Sequence, residues 1–286
     1  MATGGGPLTA STNASGGLPS ITLVPGWLTT AAHWTGQHGL LASLSEHVVY
    51  TVVAVGIAAL VSVPVGLVLG HTGRGSFAVG GVANAIRAVP AFGLMILLFV
   101  VISPDIHSRD SFGWLIPRGA IGSLIPVEAV LIILAIPPIL ANTYAGVQAV
   151  DPEVRDAARG MGMRGRQVIS KVELPIALPL IIAGIRSATL QVIATATIAG
   201  YLPFLGGLGY QIFINGLPQI NDPNVGYPAM LGAAVVVAVL AIVADLLLLG
   251  FQKLVVSPGI ATSGAARASA RRRPSRHSTP PLQGES

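Results

Sequence analysis

The sequence predicts an all-α membrane protein, a polytopic bundle of five transmembrane helices with its amino terminus outside and its carboxyl terminus in the cytoplasm. Three observations lead there. Of the 286 residues, 52% are apolar and only 9% charged, with a mean hydropathy of +0.74. Soluble domains carry about 25% charge; so few charges cannot coat a globule of this size, although they suffice for loops and ends if the remainder faces lipid. Several apolar stretches reach the roughly 20 residues a helix needs to cross a hydrocarbon core about 30 Å thick. Finally, Lys and Arg gather on one side of those stretches, the bias that orients a chain in a bilayer.

Taken in order, residues 1–47 read as a disordered extracytoplasmic tail and an interfacial segment. The first 20 are mostly Gly, Ser, Thr and Ala, without the basic start and compact apolar core of a secretory signal. Residues 18–34 form a weak candidate for a further membrane segment, interrupted by Pro25 and Gly26, and 30–46 are expected to form a short interfacial helix. Residues 48–254 form the transmembrane domain, with spans at about 48–70, 79–102, 124–145, 176–199 and 228–249. Pro64, Pro90, Pro137, Pro138 and Pro179 lie inside them. Neighbouring membrane helices resatisfy the backbone groups that such prolines free. Gly66 and Gly70, four apart in span 1, would admit a closely packed neighbour. Residues 255–286, rich in Ser, Pro and Arg, read as a disordered basic cytoplasmic tail.

Orientation follows from the cations. Arg74, then Arg155, Arg159, Arg164, Arg166 and Lys171, then Lys253, Arg267, Arg271, Arg272, Arg273 and Arg276 all fall on one side of the spans, whereas the other side has Arg109 and Arg118. This bias accounts for the formal charge of +5, so nucleic acid is not an expected partner; the lipid bilayer is, and the Arg271–Arg276 run suits anionic headgroups. Cysteine is absent, which removes disulfides, thiolate nucleophiles and cysteine-ligated metals. The six histidines show no metal spacing and are assigned no role, so no metal site is expected.

The informative segment is the loop at 150–175. Asp151 before Pro152 is a helix start, an oxygen cap followed by proline at the first helical position. Glu153 and Asp156 lie near the helix amino terminus, where the dipole favours negative charge. Ala157 and Ala158 give a small, close-approach surface. Gly160 and Gly162 interrupt the helix and permit a sharp turn, 167–173 can form a second short helix, and Leu174-Pro175 is expected to redirect the chain into span 4. The run Gly160-Met-Gly-Met-Arg-Gly165 matches G-x-G-x-x-G but lacks the preceding strand that a dinucleotide site requires. Neither lysine follows Gly, so the chain has no G-x-x-x-x-G-K-[ST] phosphate loop and cannot hydrolyse ATP by that route.

Asp156, Ala157, Ala158, Gly162, Val172, Leu174 and Pro175 stand at the spacing of a known signature, an acidic residue and two alanines, then Gly after three residues, then Ile-x-Leu-Pro after nine more. Asp replaces the usual Glu and Val the usual Ile. The loop thus resembles that of binding-protein-dependent ABC permeases, with a MetI-like fold. In that family it is the coupling helix that docks into a cleft on the ATP-binding subunit. The resemblance implies that contact for Asp156, Ala157, Ala158, Arg159, Gly160 and Gly162. It also implies no cofactor on this chain, with ATP and Mg on the partner ATPase. The expected partners are two ATPase subunits, a second permease subunit (a copy or a homologue) and an extracytoplasmic substrate-binding protein. A non-catalytic transport subunit in a bacterial cell membrane follows. From 46 to 254 the chain is most similar to permeases for quaternary-ammonium osmoprotectants such as glycine betaine, choline and carnitine, on segments including Ala88-Val-Pro-Ala-Phe-Gly-Leu and Pro138-Ile-Leu-Ala-Asn-Thr-Tyr-Ala-Gly146. Pathway candidates are Pro90, Phe92, Asn142, Tyr144, Gln191 and Thr195. Amino-acid importers share the architecture and stand as the alternative; an ion-coupled secondary transporter would account for the intramembrane charges but not for the loop, and a membrane scaffold for little beyond the basic tail.

Arg87, Glu128, Arg186 and Asp245 lie within the predicted spans, where unpaired charge is costly. Arg186 stands about ten residues, or 15 Å, from the cytoplasmic start of span 4, and Asp245 at a similar depth in span 5. An Arg186–Asp245 ion pair is the expectation, with Arg87 as the rival partner. Glu128, near the outer end of span 3, is expected to face water.

Overall fold

In a computed structural model, residues 21–36, 39–75, 79–81, 85–86, 89–107, 120–202, 206–220, 222 and 226–256 are described, and among them regular structure is helical throughout. Arg87, Arg109, Arg118 and both outer tails, 1–20 and 257–286, lie outside the described residues. The elements are α1 (Leu23–Thr29), α2 (Leu40–Thr72), α3 (Ala91–His107), α4 (Ala120–Gln148), α5 (Pro152–Gly160), α6 (Gly165–Ala199), α7 (Gly207–Tyr210) and α8 (Gly226–Val255). Among the described residues, four helical stretches are long and apolar enough to cross a membrane: α2, Leu124–Gln148 of α4, α6 and α8.

Several boundaries differ from the sequence expectation. The first span does not begin at 48. Its helix starts at Leu40 and runs 33 residues, about 50 Å at 1.5 Å per residue. No proline falls between Gly39 and Pro64 to stop it, so 40–47 belongs to this helix rather than to a separate interfacial one. The second span is helical from Ala91 rather than across 79–102, after short helical turns at 79–81 and 85–86. Pro90 therefore precedes the helix instead of lying inside it, because a proline biases the residue before it away from helical dihedrals. Leu174-Pro175 does not redirect the chain either. The helix continues through it, and Ile169–Glu173 widens into a π-turn in which Leu174 N–H donates to Ile169 O. Pro175 has no N–H for the Lys171 carbonyl and its ring crowds that group, which favours a wider turn just before it.

The described residues gather into two compact units. One is drawn from within Met1–Thr51, Phe92–Glu128 and Ile193–Leu240. Its core joins Leu40, Leu208, Ala233 and Val236, with Trp27, Leu28 and Trp34 packed against them. α1, despite Pro25 and Gly26, is thus a short helix docked on this core, at seven residues too short to span a bilayer. Trp34 Nε1 donates to Leu28 O at 2.6 Å, and Trp27 stacks on His33. The segment around α7 is tied to the start of α2. Gly207 N–H donates to Glu46 Oε2 at 2.7 Å, Gln211 Nε2 to Ser43 Oγ at 3.1 Å, and the buried His47 ring nitrogen Nε2 meets Ile193 O at 3.1 Å. Gly206 and Gly207 both hold positive φ, which side chains resist.

Gly200 and Gly209 cross backbone to backbone in this unit, so a Cβ on Gly209 would overlap Thr197 O and one on Gly200 would overlap Gly209 itself. Gly200→Ala should therefore lower stability by about 1–3 kcal/mol. Gly250→Ala in α8, where nothing lies within 4 Å of the added carbon, should be neutral or gain about 0.5–1 kcal/mol. Thermal unfolding of the detergent-solubilised protein compares the two; equal midpoints would refute the crossing.

The other unit is drawn from within Val52–Ala91, Ala129–Val192 and Ala241–Ser286. Glycine notches bring its helices together on α4. Cβ atoms on Gly66 and Gly70 would lie 2.7 Å from Thr143 Cβ and 2.6 Å from Val147 Cβ, and one on Gly184 would lie 2.9 Å from Pro138 O. The Gly66/Gly70 pair of α2 thus does admit a close neighbour, α4. Leu67, Val147, Ala177 and Ile181 fill the resulting core. Large aliphatic side chains elsewhere on the long helices point outward, among them Val52, Leu60, Val68, Leu246, Leu247 and Leu254. An apolar exterior on this scale suits lipid rather than water.

Candidate functional site

α5 starts as its sequence dictates. Asp151 Oδ1 accepts the Glu153 N–H at 3.1 Å, and Pro152 occupies the first helical position. It ends at Gly160; Met161 N–H bonds back to Ala157 O, and Gly162 turns the chain at φ +84°. A left-handed residue here is what glycine supplies without strain. The start of α6 follows at once, with Arg164 N–H donating to Gln167 Oε1 at 2.8 Å.

The two faces of α5 differ. Inward, Ala158 is 2% exposed and Arg155 is half-buried. Outward, Val154, Ala157 and Met161 are exposed, and their spacing of three and four residues puts them in one row. Asp156, Arg159 and Gly160 flank that row and are also exposed; an Arg159–Asp156 ion pair lies among them at 3.5 Å. The loop therefore offers a small apolar ridge with charges beside it and no bulky side chain at Ala157. Of the signature residues, Ala158 and Gly162 shape the loop, Val172 and Leu174 are half-buried, and Pro175 is exposed.

Behind the ridge lies a buried carboxylate. Glu173, in the π-turn of α6, is fully buried, and its Oε2 meets His71 Nδ1 of α2 at 2.9 Å. Its Oε1 lies 2.9 Å from Arg155 Nε of α5, off the N–H direction, so this contact is ionic rather than a hydrogen bond. Arg155 Nη2 donates to Val147 O, and Gln148 Nε2 to Gly70 O at 2.7 Å. Those carbonyls sit in the last turns of α4 and α2, and each also accepts a backbone N–H, from Val150 and Gly73 respectively.

Deeper in the same unit, Arg186 Nε and Nη2 donate to a single oxygen, Asp245 Oδ1, at 2.9 and 2.7 Å. The ion pair read from span depth is thus present. Glu128 does not face water as expected: it is half-buried, with Oε2 enclosed and without a hydrogen-bond partner among the described groups. Phe92 packs edge-on against Tyr201, which does the same to Phe213. Asn142 Nδ2 donates to Pro138 O of its own helix at 2.8 Å. Tyr144, Gln191 and Thr195 are half-buried, and Pro90 is exposed.

The family described as "binding-protein-dependent transport system inner membrane component" matches residues 62–256, which includes the whole loop and its flanking helices. The chain belongs to this family. It is a transport permease component and a multi-pass protein of a bacterial membrane. The permease is 34% identical over 221 residues to the glycine betaine/carnitine/choline transport system permease protein OpuCB of Bacillus subtilis (strain 168), covering 77% of this chain and 90% of that protein. The choline transport system permease protein OpuBB of the same organism is equally similar over the same shares, and the carnitine transport permease protein OpuCB of Listeria monocytogenes is 36% identical over 73% of this chain and 84% of its own. Among solved structures, an inward-facing MetNI methionine ABC transporter superposes with a TM-score of 0.58 at 20% identity, covering 76% of this permease and 96% of that chain. That likeness carries the fold.

Sequence reasoning missed Glu173, His71 and the inward role of Arg155. Two of the histidines to which the sequence assigned no role, His47 and His71, are helical and hydrogen-bonded within the fold. A usable signal existed for Glu173, a carboxylate placed directly before Leu174-Pro175 and an apolar span, but a charge at the mouth of a span reads as solvated.

Proposed function

We propose that this permease forms one half of the translocation pathway of an ATP-driven importer for quaternary-ammonium osmoprotectants (glycine betaine, choline, carnitine). The relatives named for those solutes, matched over most of both chains, support the solute class. The observation that carries the coupling role is the exposed Val154–Ala157–Met161 row on α5. It is a short apolar ridge of the size to enter a groove on an ATPase subunit. In this reading Asp156, Ala157, Arg159, Gly160 and Gly162 form or frame the contact. Val172, Leu174 and Pro175 hold its base. ATP and Mg sit on two copies of the partner. A second permease, a copy or a homologue, completes the pore, and an extracytoplasmic binding protein delivers the solute. Five spans are proposed, α3 being the fifth, with the α5 loop and the Arg-rich tail in the cytoplasm, as the one-sided cations favour.

Reconstitution tests this reading. Proteoliposomes holding the permease, its ATPase and its binding protein should accumulate labelled glycine betaine, choline or carnitine only when ATP is supplied on the ATPase side. Uptake driven by an ion gradient without ATP would refute the importer reading. Uptake competed by amino acids instead would move the substrate to that class.

A further inference from the structure

We propose that Glu173 is a positioning residue that locks the α5 loop to the end of α2, so that a push on α5 is delivered to α2 and α6 together. The inference rests on the coupling reading of the loop and adds the means by which force leaves it. Three features carry it. Glu173 is fully buried at the loop end of α6, a place where an ionised carboxylate persists only with partners. Its two oxygens face two different elements, Oε2 toward His71 of α2 and Oε1 toward Arg155 of α5. Arg155 in turn reaches Val147 O of α4, and Gln148 of α4 reaches Gly70 O of α2. Four helix ends are thereby joined through polar contacts at fixed distances rather than through sliding apolar surfaces.

The surrounding packing leaves the joint little slack. Gly165, the first residue of α6, lies close beside the histidine: a Cβ there would come 3.4 Å from His71 Nε2. One residue before His71, Gly70 presses on Val147, and Ala158 is buried on the inner face of α5. A carboxylate anchored this way resists rotation of α5 about its own axis. An outward push at Ala157 cannot be absorbed by α5 alone. By contrast the outer face of α5 carries only the loose Asp156–Arg159 pair, which leaves it free to meet a partner.

The chain has no cysteine, so paired spin labels can be placed cleanly. Labels at Thr72→Cys on α2 and Glu153→Cys on α5, both exposed positions, report the joint in the assembled complex whatever solute it carries. With Glu173 intact the distance distribution should be narrow in both the nucleotide-free and the ATP-bound complex. Glu173→Gln should broaden it and raise the ATP hydrolysed per solute moved about three- to thirty-fold, the range of coupling changes seen when a transmitting contact is cut, with the ATPase still bound. Arg155→Lys, which keeps the charge, should fall between. An unchanged distance and ratio in Glu173→Gln overturns the proposal. If Glu173→Gln fails to assemble, His71→Asn, which leaves the Glu173–Arg155 ion pair in place, takes its role; unchanged behaviour there, or failure of both variants to assemble, reduces the cluster to a folding element and also overturns it. Should the wild-type complex carry no quaternary-ammonium solute, the substrate reading falls while the distance measurement still judges the joint.

Discussion

Ala157→Arg is expected to abolish ATP-driven transport while leaving the permease folded and inserted, whereas Ala158→Arg, one residue on, should destroy the loop itself. The two alanines are adjacent in a signature, yet the structure gives them opposite surroundings. Ala157 is exposed in the outward row, and Ala158 is 2% exposed against the body of the protein. An arginine at 157 has open space on this chain and collides only with whatever docks there. Residues at the centre of a well-packed contact commonly contribute 2 kcal/mol or more, so a loss of about 30-fold or greater in affinity for the ATPase subunit is expected. At 158 the same side chain must be buried, forcing overpacking and an unpaired charge into a site built for a methyl group, at about 3–5 kcal/mol. Co-purification of the ATPase with each variant, beside the unfolding temperature of the permease alone, separates the outcomes. The docking face would be wrong if Ala157→Arg kept full ATPase binding, or if it unfolded the permease as Ala158→Arg does.

Asp245→Leu should destabilise the permease strongly, and Arg186→Leu in the same chain should restore most of the loss. Both guanidinium contacts converge on one carboxylate oxygen, and both side chains are largely shielded. An arginine left alone within a span costs about 2.5–3.5 kcal/mol on insertion scales. Removing both charges and filling the space with leucine removes the desolvation cost together with the attraction, and such replacements are commonly neutral or stabilising by about 1–4 kcal/mol. Unfolding midpoints in one lipid and detergent composition decide it. A double variant no more stable than Asp245→Leu would mean that the two charges are not coupled. Transport by a stable double variant would further show whether the pair serves structure or the transport cycle.

What the sequence made legible depended on how local the physics was. The α5 loop could be read nearly whole because its cap, its proline and its left-handed glycine act over a few residues: Asp151, Pro152 and Gly162 each do what their chemistry requires. The Arg186–Asp245 pair could be reached because helical rise converts residue number into depth. The Gly66/Gly70 notch was visible as a spacing, though not the Thr143 and Val147 side chains that fill it. The Glu173 cluster was not readable, since His71 and Glu173 are 102 residues apart and nothing in either segment names the other. Helix limits failed where breakers were weak or misplaced. Leu40–Glu46 carries no signal to separate it from the helix that follows. Pro90 was counted inside a span although proline more readily starts a helix than sits within one. Even the π-turn at Ile169–Glu173 had a cause in the sequence, the missing N–H of Pro175, but that cause predicts a break and a widening equally well.

The glycine crossing at Gly200 and Gly209 constrains ancestry as much as shape. A side chain at either position collides with backbone, not with another side chain that could shrink in exchange. No compensating mutation elsewhere on the surface can make room, so a lineage that lost one glycine would have to re-route the stretch of backbone at the crossing itself. The pair therefore works as a sieve for kinship: a distant chain that keeps glycine at both places has kept this route of the backbone, and one that has replaced either has built that stretch another way.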